Sequence, residues 1–196
     1  MRPPISPESV KQLFTHARSH HHWTPQPVTQ DTLRDIYELM KWGPTSVNSM
    51  PARLLFVQSA AEKEKLLPCV SGSNAEQIRA APVTAIIASD ERFFAHSKKL
   101  YPPYDATELF ANDAPLREST AFRNSSLQGA YMMFAARALG LDVCPMSGFD
   151  NARVDQSFFQ GTTWKSNFLC TLGYGDESKL HPRGPRLSFD ESCRIV

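Results

Sequence analysis

Apolar residues along the chain follow two spacings, one typical of amphipathic helices and one typical of buried strands. Three long helices are predicted, from Pro7 to Arg18, from Thr29 to Trp42 and from Leu116 to Leu139. Shorter helices are predicted after the capping residues Ser59, Ser73 and Asp150. Compact apolar runs predict strands at 53–58, 82–89 and 167–172. Because strands alternate with helices, we expect an α/β or α+β fold in which helices cover a central sheet.

Two stretches depart from this alternation. Residues 93–115 lack a clean period and contain Pro102 and Pro103, so we expect a mobile excursion from a single domain spanning 1–196. The second half of the long helix, from Ala130 to Ala136, is apolar nearly all round. A helix of that kind is buried on every side, and a dimer interface would bury it more easily than one subunit of this size.

Composition and charge narrow the class of protein. The net charge is +1, and the basic residues are scattered, so the chain has no field suited to nucleic acid or an anionic membrane. No apolar run approaches the ~18 residues of a membrane span, and the N-terminus leads into a helix rather than a signal core. The four cysteines form no CxxC pair, which is typical of free thiols in a reducing compartment. We therefore expect a cytoplasmic protein that binds neither nucleic acid nor membranes.

Signature motifs of the common nucleotide enzymes and hydrolases are missing. The GxG at 173–175 lacks a third glycine, and no GxxxxGK[ST], GxSxG or HExxH occurs. The cluster of Arg18, His20 and His22 at a helix end has three interpretations: a zinc site, a solvated helix end, or a cradle in which Arg18 forks onto a phosphate. Zinc is disfavoured because no Cys or acidic partner lies at ligand spacing, so no metal is expected. Arg183 and Arg186 would complete the cradle if the C-terminal segment folds back.

The loop from Gly43 to Pro51 concentrates small polar residues between two prolines, which fix φ at both ends. It is either an ordinary helix-to-strand turn or the wall of a cofactor site. Asn74, at a helix start, offers an amide to the edge of a heterocycle, and the turn at 145–150 offers unhindered backbone N–H groups. A flavin needs this combination of groups and carries the redox chemistry in its own ring.

In this order the segments resemble the FMN-dependent nitroreductase family. The matching segments are Arg18-x-His20-x-His22, Gly43 to Pro51, Asn74-x-x-Gln77 and Pro145 to Gly148. Within the family, Thr120 to Gln128, Pro145 to Asp150, Lys165 to Asn167, Gly173 to Asp176 and Pro185 to Phe189 are most similar to the malonic semialdehyde reductase branch of the pyrimidine-utilisation (Rut) pathway. The resemblance implies one FMN-binding domain of α+β (α/β-like) class. It further implies a central mixed sheet flanked by helices and an intertwined homodimer with FMN at the subunit interface.

The resemblance also implies site residues. The expected cofactor-binding set is Arg18, His20, His22, Pro44, Thr45, Ser46, Asn48, Asn74, Gln77, Pro145, Met146, Ser147, Gly148, Arg183 and Arg186. Residues 44–48 are expected to reach the flavin of the other subunit. Two departures from the family pattern are the histidines at 20 and 22, where many members have Ser and Lys or Arg, and Ser147, where many have Glu.

The implied activity is ping-pong hydride transfer through flavin N5, with NADH or NADPH as the transient donor. The similar branch implies a small aldehyde acid as acceptor, such as malonic semialdehyde reduced to 3-hydroxypropionate. An arginine would hold its carboxylate, and Arg123 is the candidate. A nitroaromatic or quinone reductase on the same scaffold, and a non-enzymatic flavin-binding protein, are the alternatives. If His20 or His22 is charged, FMN retention should weaken as pH rises through about 6 to 8.

Overall fold

A four-stranded antiparallel sheet forms the centre of the protein, for which the computed structural model describes residues 1–196. The strands are β1 (Ala52–Val57), β2 (Val83–Asp90), β3 (Asp142–Met146) and β4 (Trp164–Gly173). They lie in the order β1-β2-β4-β3, so β1 and β3 are the two edges.

Helices surround this sheet. They are α1 (Pro7–Val10), α2 (Gln30–Met40), α3 (Ala60–Leu66), α4 (Asn74–Ala80), α5 (Ser97–Leu100), α6 (Thr107–Asn112), α7 (Ala114–Ala138), α8 (Asn151–Phe158) and α9 (Phe189–Ser192). Shorter 3-10 turns occur at Ser46–Asn48, Leu67–Cys69, Phe93–His96 and Glu177–Lys179. None of the helices combines the length and the apolar character that crossing a membrane requires.

Strand β2 is the centre of the core, since all eight of its residues are buried. Alternate side chains of a strand face opposite sides of the sheet. Val83, Ala85 and Ile87 therefore join one apolar cluster, while Ile86 and Ala88 join a second. Helices α2 and α7 cover the first face, and α3, α4 and α8 cover the second. The two sheet edges are left as the places where a ligand can approach the strands.

The three predicted strands are present, with shifted boundaries. The sequence pattern does not predict β3, which is short and contains Pro145, a residue without an N–H for the ladder. Proline is tolerated there because β3 is an edge strand. The predicted α+β class is confirmed, but the sheet is antiparallel throughout rather than mixed. The single parallel pairing is an isolated bridge between Ser19 and Val143.

The long helix α7 forms as predicted, beginning two residues earlier than the apolar pattern indicates. The Asp113 side chain caps it by accepting the N–H of Leu116 at 2.9 Å, and Gly140 follows its end with φ +81°. The first helix is shorter than predicted. Helix α1 ends at Val10 and continues only as a π-helical turn to Thr15, after which the chain turns towards β3.

The segment 93–112 is helical rather than irregular. The turn Phe93–His96 and helix α6 pack over the first half of α7, and α5 lies against the turn Ser46–Asn48. Phe93, Ala106 and Phe110 are buried with Ala121 of α7 in a third apolar cluster, and the rings of Phe93 and Phe110 lie 4.9 Å apart. The segment therefore has a small core of its own, and its predicted mobility stays a prediction.

Candidate cofactor site

The outer edge of β3 brings together predicted residues from distant parts of the chain. Arg18 lies at one end of this edge, where the next residue in sequence forms the parallel bridge with Val143. Gln77 lies beside the middle of the strand, where its Oε1 accepts from the Cys144 thiol at 3.6 Å. Asn74, the first residue of α4, lies beyond the other end and bonds to the loop that follows β3. The strand itself spans roughly 13 Å at the usual rise per residue.

A pocket of about 290 Å³ at the Arg18 end is strongly cationic. Its lining residues are Ala17, Arg18, Ser19, His21, Arg137, His181, Arg183, Gly184 and Arg186. Four guanidinium groups and two imidazoles face this space, and no carboxylate is among the lining residues. Guanidinium groups bind phosphate through paired charge-assisted hydrogen bonds. This cationic pocket therefore fits the phosphate of a mononucleotide.

The C-terminal segment folds back onto this pocket, which is the condition under which Arg183 and Arg186 would join Arg18 there. Arg183 Nη2 donates to the carbonyls of Thr15 and Ala17 at 2.9 and 3.1 Å. Arg18 Nη2 donates to the carbonyl of His181. Arg186 lies at the same pocket and bonds only to the carbonyls of its own turn. The sequence places these arginines more than 160 residues from Arg18, so only the tertiary fold could bring the groups together.

The histidines near Arg18 are arranged differently from the expectation. The His20 side chain is buried, with its Nε2 3.4 Å from Asp142 Oδ1, and the ring packs so closely on Gly175 that a Cβ there would clash. His22 is exposed, and neither it nor His20 lines the cationic pocket. His21 lines it instead, because bends at 21 and 22 break the extended alternation of side chains.

His21 has a second imidazole as its neighbour in the pocket. Its ring centroid lies 5.8 Å from that of His181 in an edge-to-face arrangement. Burial, and after it the nearby imidazoles, His181 foremost, lowers the pKa of His21 below its ordinary value of 6.5. His21 therefore takes up a proton less readily than an ordinary imidazole in the free protein. The pattern in the sequence points to His20 and His22, and no signal in it singles out His21 or His181.

At the other end of the β3 edge, Asn74 contacts Gly148. Asn74 Nδ2 donates to the Gly148 carbonyl at 3.0 Å, and both the N–H and the hydroxyl of Ser71 donate to the same oxygen at 3.2 Å. A Cβ at position 148 would lie 2.5 Å from Asn74 Nδ2, so only glycine permits this contact. Of the neighbouring residues, Met146 is buried in the second apolar cluster, whereas Pro145 and Ser147 are exposed.

The loop 44–50 adopts an unusual backbone. Val47, Asn48 and Met50 have φ values of +46°, +50° and +43°, in the left-handed region that L-residues rarely occupy. Thr45 closes the loop by accepting the Met50 N–H on its hydroxyl at 3.1 Å. Sequence reasoning predicts a held loop from its prolines, but the left-handed residues are not glycines and give no such signal. Residues in sparsely populated backbone regions are often found at ligand sites.

The loop 44–50 and the cationic pocket lie on opposite edges of the sheet. The loop leads into β1, whereas the pocket adjoins β3, three strand spacings or about 14 Å away. Arg123 is exposed on α7 and lines neither the cationic pocket nor the large groove along β1. It precedes Arg137 of the pocket by about 20 Å of helix. One chain therefore does not unite all the predicted residues in a single cavity.

A large groove of about 950 Å³ runs along β1 beside this loop. Its apolar lining residues include Leu33, Tyr37, Met40, Met50, Leu54, Phe56, Leu100 and Trp164. The basic residues Arg34, Arg53, His96 and Lys99 and the acidic Glu38 line it as well. Part of the groove is built by the segment 93–112, through His96, Lys99 and Leu100.

The thiols offer no separate redox chemistry at the β3 edge. Burial raises the pKa of the Cys144 thiol and, more strongly, that of Cys170. Both stay protonated near neutral pH and act as small apolar side chains. Electron transfer at this edge would therefore depend on a bound redox group.

Comparison with known proteins gives a family match and several similar solved folds. Residues 14–174 match the model of the nitroreductase family. The fold is similar to a nitroreductase family protein from Streptococcus pneumoniae, with TM-score 0.83 and 24% identity over 96% of this chain and 98% of that one. It is also similar to a candidate nitroreductase of Exiguobacterium sibiricum solved in complex with FMN (TM-score 0.82, 17% identity) and to a candidate NAD(P)H:FMN oxidoreductase of Staphylococcus epidermidis (TM-score 0.85, 19% identity). Each of these two matches covers 100% of this chain and 100% of the other protein's chain.

The family model extends from the π-helical turn to the end of β4 and thus includes the whole sheet and the β3 edge. The FMN-dependent oxidoreductase class expected from the sequence is confirmed at the level of the family. The chain belongs to the nitroreductase family.

Proposed function

We propose that this protein is an oxidoreductase that holds FMN along the outer edge of β3 and uses NADH or NADPH to reduce a small acceptor. The observation that carries the proposal is the pairing of a cationic pocket at one end of that edge with the Asn74–Gly148 contact at the other. When bound, FMN supplies a hydride acceptor and donor at its N5. The residues of the chain bind and orient this group.

At the phosphate end, Arg18, His21 and Arg186 would contact the phosphate, with Arg137 and Arg183 adding positive charge. Arg183 is already committed to backbone carbonyls, so its main role is to hold the C-terminal segment in place. Arg186 donates only to carbonyls of its own turn and is available to form a bidentate pair of hydrogen bonds with an anion. His20 would act through Asp142 and Gly175 by fixing the backbone that precedes His21.

At the ring end, the Asn74 amide is oriented by its bond to the Gly148 carbonyl. This leaves Oδ1 to accept from a ring N–H and the second Nδ2 hydrogen to donate to a ring carbonyl. The N–H groups of Ser147 and Gly148 make no hydrogen bond within the chain, so both are available as donors towards N5. Gln77 would contact the ring from α4, where it already reaches Cys144.

The protein would work as a homodimer, because the predicted contacts lie on opposite edges of one sheet. A partner subunit would supply its residues Pro44, Thr45, Ser46 and Asn48 to the β3 edge. Helix α7 exposes Phe122, Leu127 and Tyr131 by 60%, 47% and 42%, an apolar surface suited to burial between subunits. The C-terminal segment adds Leu187 and Phe189, exposed by 70% and 59%.

The acceptor we propose is a small aldehyde acid such as malonic semialdehyde, reduced to 3-hydroxypropionate. Support comes from the resemblance of Thr120 to Gln128 to that branch of the family, with Arg123 beside Phe122 on the surface that a second subunit would cover. A nitroaromatic or quinone acceptor is the second candidate. It is favoured by the large groove along β1, whose apolar lining would suit a flat aromatic molecule.

Spectra and acceptor rates test the activity. We expect the purified protein to absorb at roughly 350–500 nm, to bleach with NADH or NADPH without oxygen, and to regain colour with the acceptor.

Turnover of malonic semialdehyde should exceed that of a nitroaromatic by about tenfold. Arg123→Gln should remove most of this preference by lowering kcat/KM for the aldehyde acid alone. Nitro turnover about tenfold faster would reject the aldehyde acceptor, and coloured protein without NAD(P)H oxidation would indicate a flavin-binding protein.

The cationic pocket is tested by comparing FMN with riboflavin, which lacks the phosphate. Arg186→Ala should raise the Kd for FMN by about 10- to 100-fold, the usual effect of one charge-assisted hydrogen bond, and leave the Kd for riboflavin unchanged. Lys179→Ala is the matched control, since Lys179 is an exposed cation in the same part of the chain, 3.7 Å from Asp176. Equal losses for both flavins, or equal effects of both variants, would place the phosphate elsewhere.

The pH dependence of FMN affinity tests His21. The pKa of His21 is lowered in the free protein, and a bound phosphate would raise it by favouring the imidazolium. FMN affinity should therefore increase as pH falls from the pKa of His21 in the complex to its pKa in the free protein. The second of these lies below 6.5. His181, Arg18, Arg137, Arg183 and Arg186 are the other charged or titratable groups of the pocket.

His21→Gln supplies the control for this measurement, because the phosphate itself titrates near pH ~6 and changes affinity in the opposite direction. The difference between wild type and His21→Gln isolates the imidazole. Identical pH profiles for the two proteins would reject His21 as a phosphate contact.

Light scattering tests the dimer. Wild-type protein should have about twice the 22.0 kDa mass of one chain, and Leu127→Arg should dissociate it by burying an unpaired charge and weaken FMN binding in parallel. Ala61→Arg, on the exposed face of α3, is the control and should change neither property. A wild-type monomer that binds FMN tightly would contradict a site shared between subunits.

A further inference from the structure

Two buried amides of α7 bracket the strained loop that leads into β1. The Asn124 and Gln128 side chains are 4% and 2% exposed, although both are polar. Asn124 Oδ1 accepts the N–H of Ser46 at 2.8 Å, and Gln128 Oε1 accepts the N–H of Ala52 at 2.9 Å. Residues four apart lie on the same face of a helix, so one face of α7 holds both the entry and the exit of the loop.

The loop needs such support because its backbone is unfavourable in isolation. Val47, Asn48 and Met50 all have positive φ, and valine, which is β-branched, is among the residues least suited to that region. A conformation of this kind persists only when surrounding groups determine it. The hydrogen bonds within the loop are the one to the Thr45 hydroxyl and two short backbone turn bonds. The other contacts that hold this backbone conformation must therefore come from residues outside the loop.

The two amides are themselves firmly placed. Asn124 Nδ2 donates to the carbonyl of Thr120 at 2.8 Å, which fixes the amide so that Oδ1 faces Ser46. Gln128 projects from the middle of α7, the longest helix, whose neighbouring turns are packed against the sheet. Burying an amide is costly unless it is hydrogen-bonded. The bonds to the loop are what satisfy the two side-chain oxygens here.

A guanidinium reinforces the exit of the loop. Arg53 Nη1 donates to the Met50 carbonyl at 3.0 Å, and its Nη2 donates to Asp90 Oδ2 at 2.8 Å. On the outer side, Asn48 Nδ2 donates to the Leu100 carbonyl at 2.8 Å, which ties the loop to α5. The loop is thus fixed between α7, the end of β2 and the segment 93–112.

We propose that Asn124 and Gln128 are positioning residues that hold the loop 44–50 in the conformation in which it contacts FMN. This role rests on the proposed function, in which the loop contacts the flavin. Neither amide touches the cofactor itself; both act through the backbone of the loop. Since the loop would face the ring and not the phosphate, their loss should affect FMN and riboflavin equally, in contrast to loss of Arg186.

The test uses Asn124→Leu and Gln128→Met, which keep the approximate size of the side chain but remove the acceptor. Ser125→Ala is the matched control: Ser125 is fully buried on the same helix and bonds to Phe122 and Asn167 rather than to the loop. Ala52→Pro is a second route, because it deletes the donor of the Gln128 bond without altering α7, at the first residue of an edge strand where proline is tolerated.

Two readouts are measured on the full-length variants. The first is amide hydrogen exchange at 46 and 52, or at 46 alone in Ala52→Pro, which has no amide hydrogen at 52. The second is the Kd for FMN and for riboflavin. Asn124→Leu should speed exchange at 46, and Gln128→Met at 52, by about tenfold or more. Both, and Ala52→Pro, should raise the Kd for both flavins by about tenfold, the loss expected from one hydrogen bond. Ser125→Ala should stay close to wild type.

Unchanged exchange in the loop, equal losses in Ser125→Ala, or unchanged flavin affinity despite faster exchange would each overturn the proposal. Failure of the proposed function gives a different result. In that case the wild-type protein itself binds no flavin, whereas failure of the positioning role leaves wild type and variants binding flavin equally well.

Discussion

The complete burial of β2 is the constraint on which the rest of the structure depends. Because both faces of this strand are apolar, helices must cover both faces of the sheet, and no polar ligand can lie against either. Binding groups are therefore confined to the two edges, β1 and β3. The cationic pocket and the Asn74–Gly148 contact lie at the β3 edge, and the strained loop and the large groove lie at the β1 edge.

The two ends of the β3 edge differ in charge. Arginines from distant parts of the chain converge on one small pocket that no carboxylate lines, and this charge favours an anionic ligand. At the other end, glycine at 148 permits an approach that any side chain would block. Between them runs a proline-containing edge strand. A rod-shaped molecule with an anionic end and a hydrogen-bonding end is the natural ligand for this arrangement.

Much of this fold could be predicted from local pattern, since long helices and buried strands leave strong periodic signals. The α7 boundaries, the caps at Ser59 and Asp150 and the three apolar strands belong to this group. Strand β3 could not be predicted, because a short edge strand with a proline has a weak signal. The packed segment 93–112 could not be predicted either, because its third apolar cluster draws on residues far apart in sequence.

The sequence by itself determined the family and the class of chemistry, because both depend on the order of short motifs along the chain. Only the tertiary structure decided which side chains face which space. Bends after Arg18 turned His20 inward and His21 outward, the returning C-terminal segment completed the cationic pocket, and Asn124 and Gln128 became the supports of a distant loop. Side-chain direction depends on contacts between residues far apart along the chain, and local periodicity contains no information about these contacts.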